Sequence, residues 1–524
     1  AIYHSTNFNS TYSGTAYDWD NKVPYPYTVA NPFSSTLLPA GTSVTPAVQP
    51  LGGWYDAGDY GKYVHPARPS ELMFAYELYP EKFTSDANGL SNGESGDTIP
   101  DILNEIKWEI DWLKTMQYSD GSVFDRVEEL KPWAESPYDT RQRYIYPRST
   151  YTTAVFAAEM AQAYRIFKNN PQFEAKYNKG DVVGETYADS LLVQAKKAWD
   201  YLAAHPTPLP SVVVGPNPNP QSKYIPSGTD IVGWGGQSEY QSPYQNSNTG
   251  TPASDVDERA WAAAELYKAT GLSMYSTAFD TYWSKTAPLN RIDSKQFYRN
   301  TQASLAYVTT PMHTQYPTDP VKIAAIKAAW KGVIGDPDVA SGDDEYHWTY
   351  ANKYRNAYRS DVDDYIGWGN YAHAAKYAFD LIIGYKLLGD ARYLDAAKIN
   401  LDVQLGSNPQ YVSYITGVGA VPPKHPLSMT SVCLMTRATC IKDTVAPATK
   451  PMPGIPVYGP HVSMSEGYDA GRAAQDDANL YPSIHANTYP MLRRYFDIGS
   501  LVEQSEYAMA NIPPLLAAYA YFSN

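Results

Sequence analysis

Two carboxylates three residues apart, Asp56 and Asp59, fall inside the stretch Leu51–Val64, LGGWYDAGDYGKYV. Two acids held that close repel each other when both are ionised, so their pKa values are pushed apart and they can take different duties. Glycines on either side favour a tight turn, and Trp54, Tyr55, Tyr60 and Tyr63 surround the acids with flat apolar faces. A turn that had only to be soluble would not need four aromatic rings. The same residue types also suit a surface loop in which each Asp caps its own backbone.

Cleavage of a sugar acetal requires carboxyl groups on both sides of the scissile bond: one protonated to meet the leaving oxygen, one ionised to activate water or attack. Asp56 and Asp59 share one turn and supply one side only. The second side has to come from far along the chain. Glu506 is the best candidate, at the head of the last helical segment, SEYAMANIPPLLAAYAYF, among apolar and aromatic neighbours that would raise its pKa. The bland alternative is an acid complementing a helix N-terminus, worth about 0.5 kcal/mol.

The composition points the same way. The 524 residues hold 47 Tyr and 12 Trp, side chains that offer a flat apolar face and a polar tip to the C–H faces and hydroxyl rims of sugar rings. Most of these rings are expected in ordinary packing. A net charge of −14 argues against nucleic-acid and anionic-lipid partners and suits a neutral or cationic substrate. No apolar run is long enough to span a bilayer. The chain opens on Ala1 with no basic-then-apolar leader, which fits a processed, secreted form or a trimmed one. Cys433 and Cys440 could close a small disulfide or stay free thiols, and they lack the neighbours of a tetrahedral zinc site.

The elements that must position these acids read as helices. Apolar stripes at helical spacing recur over 70–78, 99–117, 150–167, 186–204, 255–270, 275–286, 302–309, 320–333, 370–388, 391–405 and 506–522, with hardly any strand-like alternation. Segments 150–167 and 370–388 are rich in small residues on more than one side, which predicts burial on both faces. The expectation is one all-α domain over residues 1–524, a layered or closed helical toroid with long loops at one end. Residues 1–50 form an extended lead-in to the acidic turn.

Several of these stretches carry a resemblance. GGWYDAGDYGKYV resembles the signature around the catalytic base of family 9 glycoside hydrolases, and SGDTIPDILNEIKWEIDWLKTMQ resembles the helix that follows it. DERAWAAAELYKATG at 257–271 and LGSNPQYVSYITGVGA at 405–420 are similar to two further family stretches. Ser505-Glu506, followed by Pro514-Leu515, resembles the closing motif that bears the general acid. The resemblance runs from Gly52 to the C-terminus and implies an (α/α)6 barrel whose long loops form a substrate cleft. It implies inverting hydrolysis of β-1,4-glucosidic bonds, with Asp59 as base, Asp56 orienting the same water and Glu506 as acid. In an inverting enzyme the acid and base stand about 6.5–9.5 Å apart, leaving room for that water.

Three departures bear on the substrate. The family's usual Pro-His-His-Arg, which grips the sugar near the cleavage point, is replaced by His425-Pro426-Leu427-Ser428-Met429. Ala510-Asn511-Ile512-Pro513 stands where polar and aromatic contacts are usual, and the N-terminal segment lacks the Cys and His of zinc-bearing members. The altered grip points to a side-chain-bearing β-1,4-glucan such as xanthan or xyloglucan rather than plain cellulose. It also suits an exo-acting glucosidase or glucosaminidase of the same fold, or a catalytically silent carbohydrate-binding protein. The expected partner is a polysaccharide or oligosaccharide, bound by a monomer.

Further candidates for substrate contact are Tyr63 in the acidic turn, the loop residues Trp133, Trp234 and Trp368 as stacking platforms or buried loop anchors, and His425. No cofactor is expected for catalysis. Structural calcium is an option at Asp343-Asp344-Glu345 or at Asp361, Asp363 and Asp364, where oxygen ligands cluster in loops, although such loops are also commonly just solvated.

Overall fold

A computed structural model of the chain describes residues 52–65, 67, 69–86, 96–129, 143–145, 148–208, 255–286, 289, 299–309, 319–334, 336, 372–436, 449–460, 491–499 and 501–523. The lead-in over residues 1–50 lies outside these. The helices in chain order are α1 (Pro69–Leu78), α2 (Asp101–Thr115), α3 (Thr150–Lys168), α4 (Pro171–Lys176), α5 (Tyr187–Ala204), α6 (Val256–Thr270), α7 (Ser273–Trp283) and α8 (Asn300–Val308). They continue with α9 (Pro320–Val333), α10 (Ala372–Leu388), α11 (Arg392–Leu405), α12 (Met429–Thr436), α13 (Val502–Ser505) and α14 (Ile512–Phe522).

Their packing closes a ring. α1 packs on α3, α3 on α6 and α6 on α8; α9 links α8 to α10, and α10 packs on α14, which returns to α1. A second layer lies outside it, with α5 against α3, α7 against α6 and α11 against α10. This is the (α/α)6 barrel that the sequence predicts. The inner helices show why. Every residue of α3 from Thr150 to Phe167 is buried, whereas α5 alternates buried Leu191, Ala195, Ala198 and Leu202 with exposed positions. A helix enclosed on both sides needs small residues where neighbours approach, and a surface helix needs a single apolar stripe.

Local chemistry marks the ends of the helices. Ser149 caps α3 by accepting from the Thr152 amide, and Thr186 with Asp189 forms a reciprocal capping box on α5. The Gly389-Asp390 turn joins α10 to α11, with Asp390 accepting from the Arg392 amide.

Two features differ from the expectation. Among the described residues there are five short strands: β1 (Lys62–Tyr63), β2 (Val123–Phe124), β3 (Arg126–Glu129), β4 (Arg143–Ile145) and β5 (Arg148–Ser149). β3 pairs antiparallel with β1 and β4, and β2 with β5. Strands of two to four residues are too short to show an alternating pattern. The predicted helix over 506–522 is also divided. Glu506 is extended at the end of α13, with φ −77° and ψ 172°, and α14 begins at Ile512 with Pro513 in its first turn. A first-turn proline is pre-set for starting a helix and cannot continue one through its own position. Glu506 therefore stands at no helix N-terminus, and the capping alternative falls.

Candidate active site

The acidic turn is held from its N-terminal side by α2. Trp54 donates its amide to Glu109 at 2.6 Å and its indole N–H to Glu105 at 2.9 Å. The Trp108 indole donates to the Gly53 carbonyl at 3.1 Å, and Lys62 Nζ donates to the Gly52 carbonyl at 2.7 Å. Gly53 has φ +81°, and a Cβ there would lie 2.6 Å from Cγ of Trp112. Only glycine meets both demands. Glu109 is fully buried, which pushes its carboxyl up to about 8, against the opposing pull of the Trp54 amide and of Lys62.

Beyond Trp54 the chain folds back on itself. The Asp56 amide donates to the Gly61 carbonyl at 2.8 Å, and the Gly61 amide donates to Asp59 Oδ1 at 3.2 Å. Asp59 thus caps its own turn, as the bland sequence reading allows. The exit is pinned by β1 on β3, where Tyr63 lies opposite Arg126, and by the Val64 amide donating to the Asp125 carbonyl at 3.0 Å.

The far end of the chain meets the other side of the turn. The Met509 amide donates to the Asp56 carbonyl at 2.5 Å and the Met429 amide to the Gly58 carbonyl at 2.7 Å. The Gly58 amide in turn donates to Glu506 Oε1 at 3.3 Å. Glu506 is itself held by its main chain, whose carbonyl accepts from the Tyr458 amide at 2.9 Å. Just before it, the Ser505 carbonyl accepts from the Leu427 amide at 2.8 Å. Tyr55 and Tyr60 pack edge to face with centroids 5.1 Å apart, against Met429.

Asp56, Asp59 and Glu506 are therefore brought together, with 5%, 8% and 5% of their surface accessible. That is too little for bulk water to screen them. Tyr507 gives an independent sign of the convergence. Burial raises its phenol well above the usual range, and the charges of Asp59, Glu506 and Asp56 add to the rise.

The remaining candidates are spread wider. Tyr63 is buried, its ring 5.3 Å from the Arg126 guanidinium. His425 is exposed, its amide and Nδ1 engaged with Asp497 at 2.9 and 3.0 Å. Trp133, Trp234, Trp368 and both acidic clusters proposed for calcium lie outside the described residues, as does Cys440. Among the described residues no group of three or more His, Cys, Asp or Glu is arranged to hold a metal ion, and no helix is long and apolar enough to cross a membrane.

Sequence reasoning passed over four other groups. Asp125 is buried beside the turn, accepting from Tyr151 at 3.1 Å, Thr152 at 3.0 Å and Arg126 at 3.1 Å; burial raises its pKa despite those partners. Glu105 and Glu109 read as the polar side of α2. Tyr507 had the one usable signal, adjacency to Glu506.

Comparison with known proteins agrees with this geometry. Residues 7–519 match the model of glycosyl hydrolase family 9. A xyloglucan-specific endo-beta-1,4-glucanase of Bacteroides ovatus is 28% identical over 454 residues, 84% of this chain and 65% of that protein. Endoglucanase D of Acetivibrio thermocellus is 27% identical over 385 residues, 71% of this chain and 51% of its own length. The chain thus spans less than two thirds of either relative. A crystal structure of a metagenome-derived family 9 endoglucanase superposes with a TM-score of 0.65 at 26% identity, covering 95% of this chain and 74% of that one.

Proposed function

Because the chain belongs to glycosyl hydrolase family 9, we propose that its three convergent acids hydrolyse β-1,4-glucosidic bonds with inversion, in a glucan that carries side chains. The observation that carries this reading is the Glu506 carboxylate meeting the Asp56–Asp59 turn through the Gly58 amide. Asp59 takes a proton from water as the water oxygen bonds to the anomeric carbon. The glycosidic C–O bond breaks on the opposite face, and the Glu506 proton passes to the leaving oxygen. Asp56, whose carbonyl is fixed by Met509, orients the same water.

A decorated glucan is supported by the altered 425–429 segment and by the likeness to the xyloglucan-specific relative. His425 and Tyr63 beside the base are the substrate contacts of this reading, and Trp133, Trp234 and Trp368 its stacking platforms. Residues 1–524 form one catalytic domain, and the enzyme acts outside the cell as a monomer. It needs no cofactor for the chemistry, and calcium at 343–345 or 361–364 has a structural role only.

The test is reducing-end release from xyloglucan, xanthan, carboxymethylcellulose and cello-oligosaccharides, with binding measured beside it and the first product's anomer followed by NMR. The α-anomer as first product, with xyloglucan or xanthan preferred, supports the reading. A β-anomer rejects it, and binding without hydrolysis establishes the silent carbohydrate-binding alternative.

A further inference from the structure

The loop that leaves α11, residues 406–423, has no charged side chain, in a chain that is 18% charged overall. It is wound around the buried side chain of Asn408. Nδ2 of that residue donates to the Val403 carbonyl at 2.9 Å and to the Val412 carbonyl at 2.7 Å, while Oδ1 accepts from the Gln410 amide at 3.1 Å. The Tyr411 amide closes a turn on the Asn408 carbonyl at 3.0 Å, with Pro409 as the second residue of the turn. Gln410 Nε2 ties the turn down by donating to the Tyr495 carbonyl at 2.9 Å.

Tyr411 ends this turn with φ +57° and its side chain 82% exposed. The last position of such a turn favours glycine, and a bulky residue at positive φ is strained. The core gains little in return, since most of the side chain stays in water. Strain held by the surrounding bonds and not repaid by packing points to a function for the ring. Leu405, Val418 and Val421 add exposed apolar surface on the same segment, and the Val421 carbonyl accepts from the Ser413 amide at 2.9 Å, two residues from Tyr411. The loop rests on the framework of the general acid. The Val457 amide donates to the Tyr414 carbonyl at 2.9 Å, and the Tyr458 amide donates to the Glu506 carbonyl at 2.9 Å. Two main-chain pairings, each spanning about 5 Å, thus separate the loop from Glu506.

We infer that Tyr411 is a stacking platform for a sugar ring of a glucan chain, standing off from the three acids and holding the polymer rather than the bond that is cut. A flat ring with a polar tip fits the C–H face and hydroxyl rim of a pyranose. An uncharged loop suits a neutral polymer and offers nothing to an anionic one. A ring already fixed by its backbone also loses little freedom on binding. The inference goes beyond the proposed reaction and rests on it only for the class of ligand.

The test is affinity electrophoresis through gels containing xyloglucan, with kcat/KM on xyloglucan and on an aryl cellobioside, for wild type, Tyr411→Phe, Tyr411→Ala and Tyr411→Gly. Xyloglucan should retard wild type and Tyr411→Phe alike. Tyr411→Ala and Tyr411→Gly should lose about three- to tenfold in affinity and, through KM, in kcat/KM on the polymer, and stay within about twofold on the aryl cellobioside. Tyr411→Gly removes the strain together with the ring and should melt no lower than wild type. A wild type that xyloglucan does not retard, or a Tyr411→Gly variant retarded as strongly as wild type, overturns the inference. An equal loss on the aryl cellobioside also overturns it, by putting the ring at the scissile bond. So does a wild-type dimer that Tyr411→Gly dissociates, since the patch is then a contact between copies. A wild type that is retarded but hydrolyses no glucan would instead overturn the proposed reaction, so the two failures are distinct.

Discussion

The Gly58 amide donates to Glu506 across 3.3 Å, tying the turn that carries two acids to the third, 448 residues later. Glu506→Gln keeps an oxygen for that bond and removes only the transferable proton. Turnover on a glucan should fall by about two to four orders of magnitude, with the far-UV circular dichroism spectrum unchanged. An aryl glycoside whose leaving group departs without protonation should recover most of the loss in Glu506→Gln and none of it in Asp59→Asn. Equal losses on both substrates would mean that Glu506 is not the proton donor.

Gly53 approaches Trp112 closely with a positive φ, so Gly53→Ala combines a steric clash with backbone strain. Overpacking alone costs about 1–3 kcal/mol, and the left-handed backbone adds to it. The variant should melt measurably lower in a thermal scan. It should also lose activity beyond what its unfolded fraction explains, because Asp56 lies three residues on. Gly184, also at positive φ but with nothing within 4 Å, is the control: alanine there should cost stability and leave turnover alone.

Glu109 tests whether α2 sets the register of the turn. Its Oε2 accepts the Trp54 amide at 2.6 Å, while its Oε1 is buried with no hydrogen-bond partner. Glu109→Gln keeps an acceptor for the amide and should retain turnover within about threefold, since the bond it preserves is worth about 1 kcal/mol. Glu109→Leu leaves the Trp54 amide unsatisfied, which costs about 1–3 kcal/mol. It should lower kcat more than it raises KM. Identical kinetics in the two variants would show that α2 merely packs against the turn.

The acids were legible in the sequence and their surroundings were not, for a physical reason. Asp56 and Asp59 sit in a turn whose residue types announce themselves, and Glu506 lies in a motif that resembles one already known. The small-residue helices α3 and α10 likewise predicted burial on both sides, and the ring they belong to follows from it. Glu105 and Glu109, spaced one helical turn apart, look like a solvated face until the turn at 52–54 covers them. Asp125 carries no local signal, because its partners are set by which elements pass beside it. The break between Glu506 and Ile512 is hidden in the sequence because apolar spacing continues through it, while Pro513 stands in the first turn of a new helix. Long-range contact supplies what local pattern lacks.

Buried acids on α2 and α6 predict an unusual dependence of stability on pH. Burial pushes Glu109 and Glu258 up to about 8 and Glu265 up to about 7, the last two despite Arg299 and Arg165 beside them. Each binds its proton more tightly folded than unfolded, so its contribution is fully present below pH 4.5 and is lost as pH rises through 7 to 8. Lys268, lowered by burial to about 8 from 10.5, acts the other way: its penalty is complete below pH 8 and is relieved above it. The melting temperature should therefore fall between pH 5 and pH 8 and level off or recover beyond. Glu265→Gln should flatten the slope below pH 7 and leave the Lys268 region to emerge. A melting temperature that climbs steadily from pH 5 to 8 would mean that these acids are ionised in the folded protein, with Arg165 and Arg299 outweighing burial.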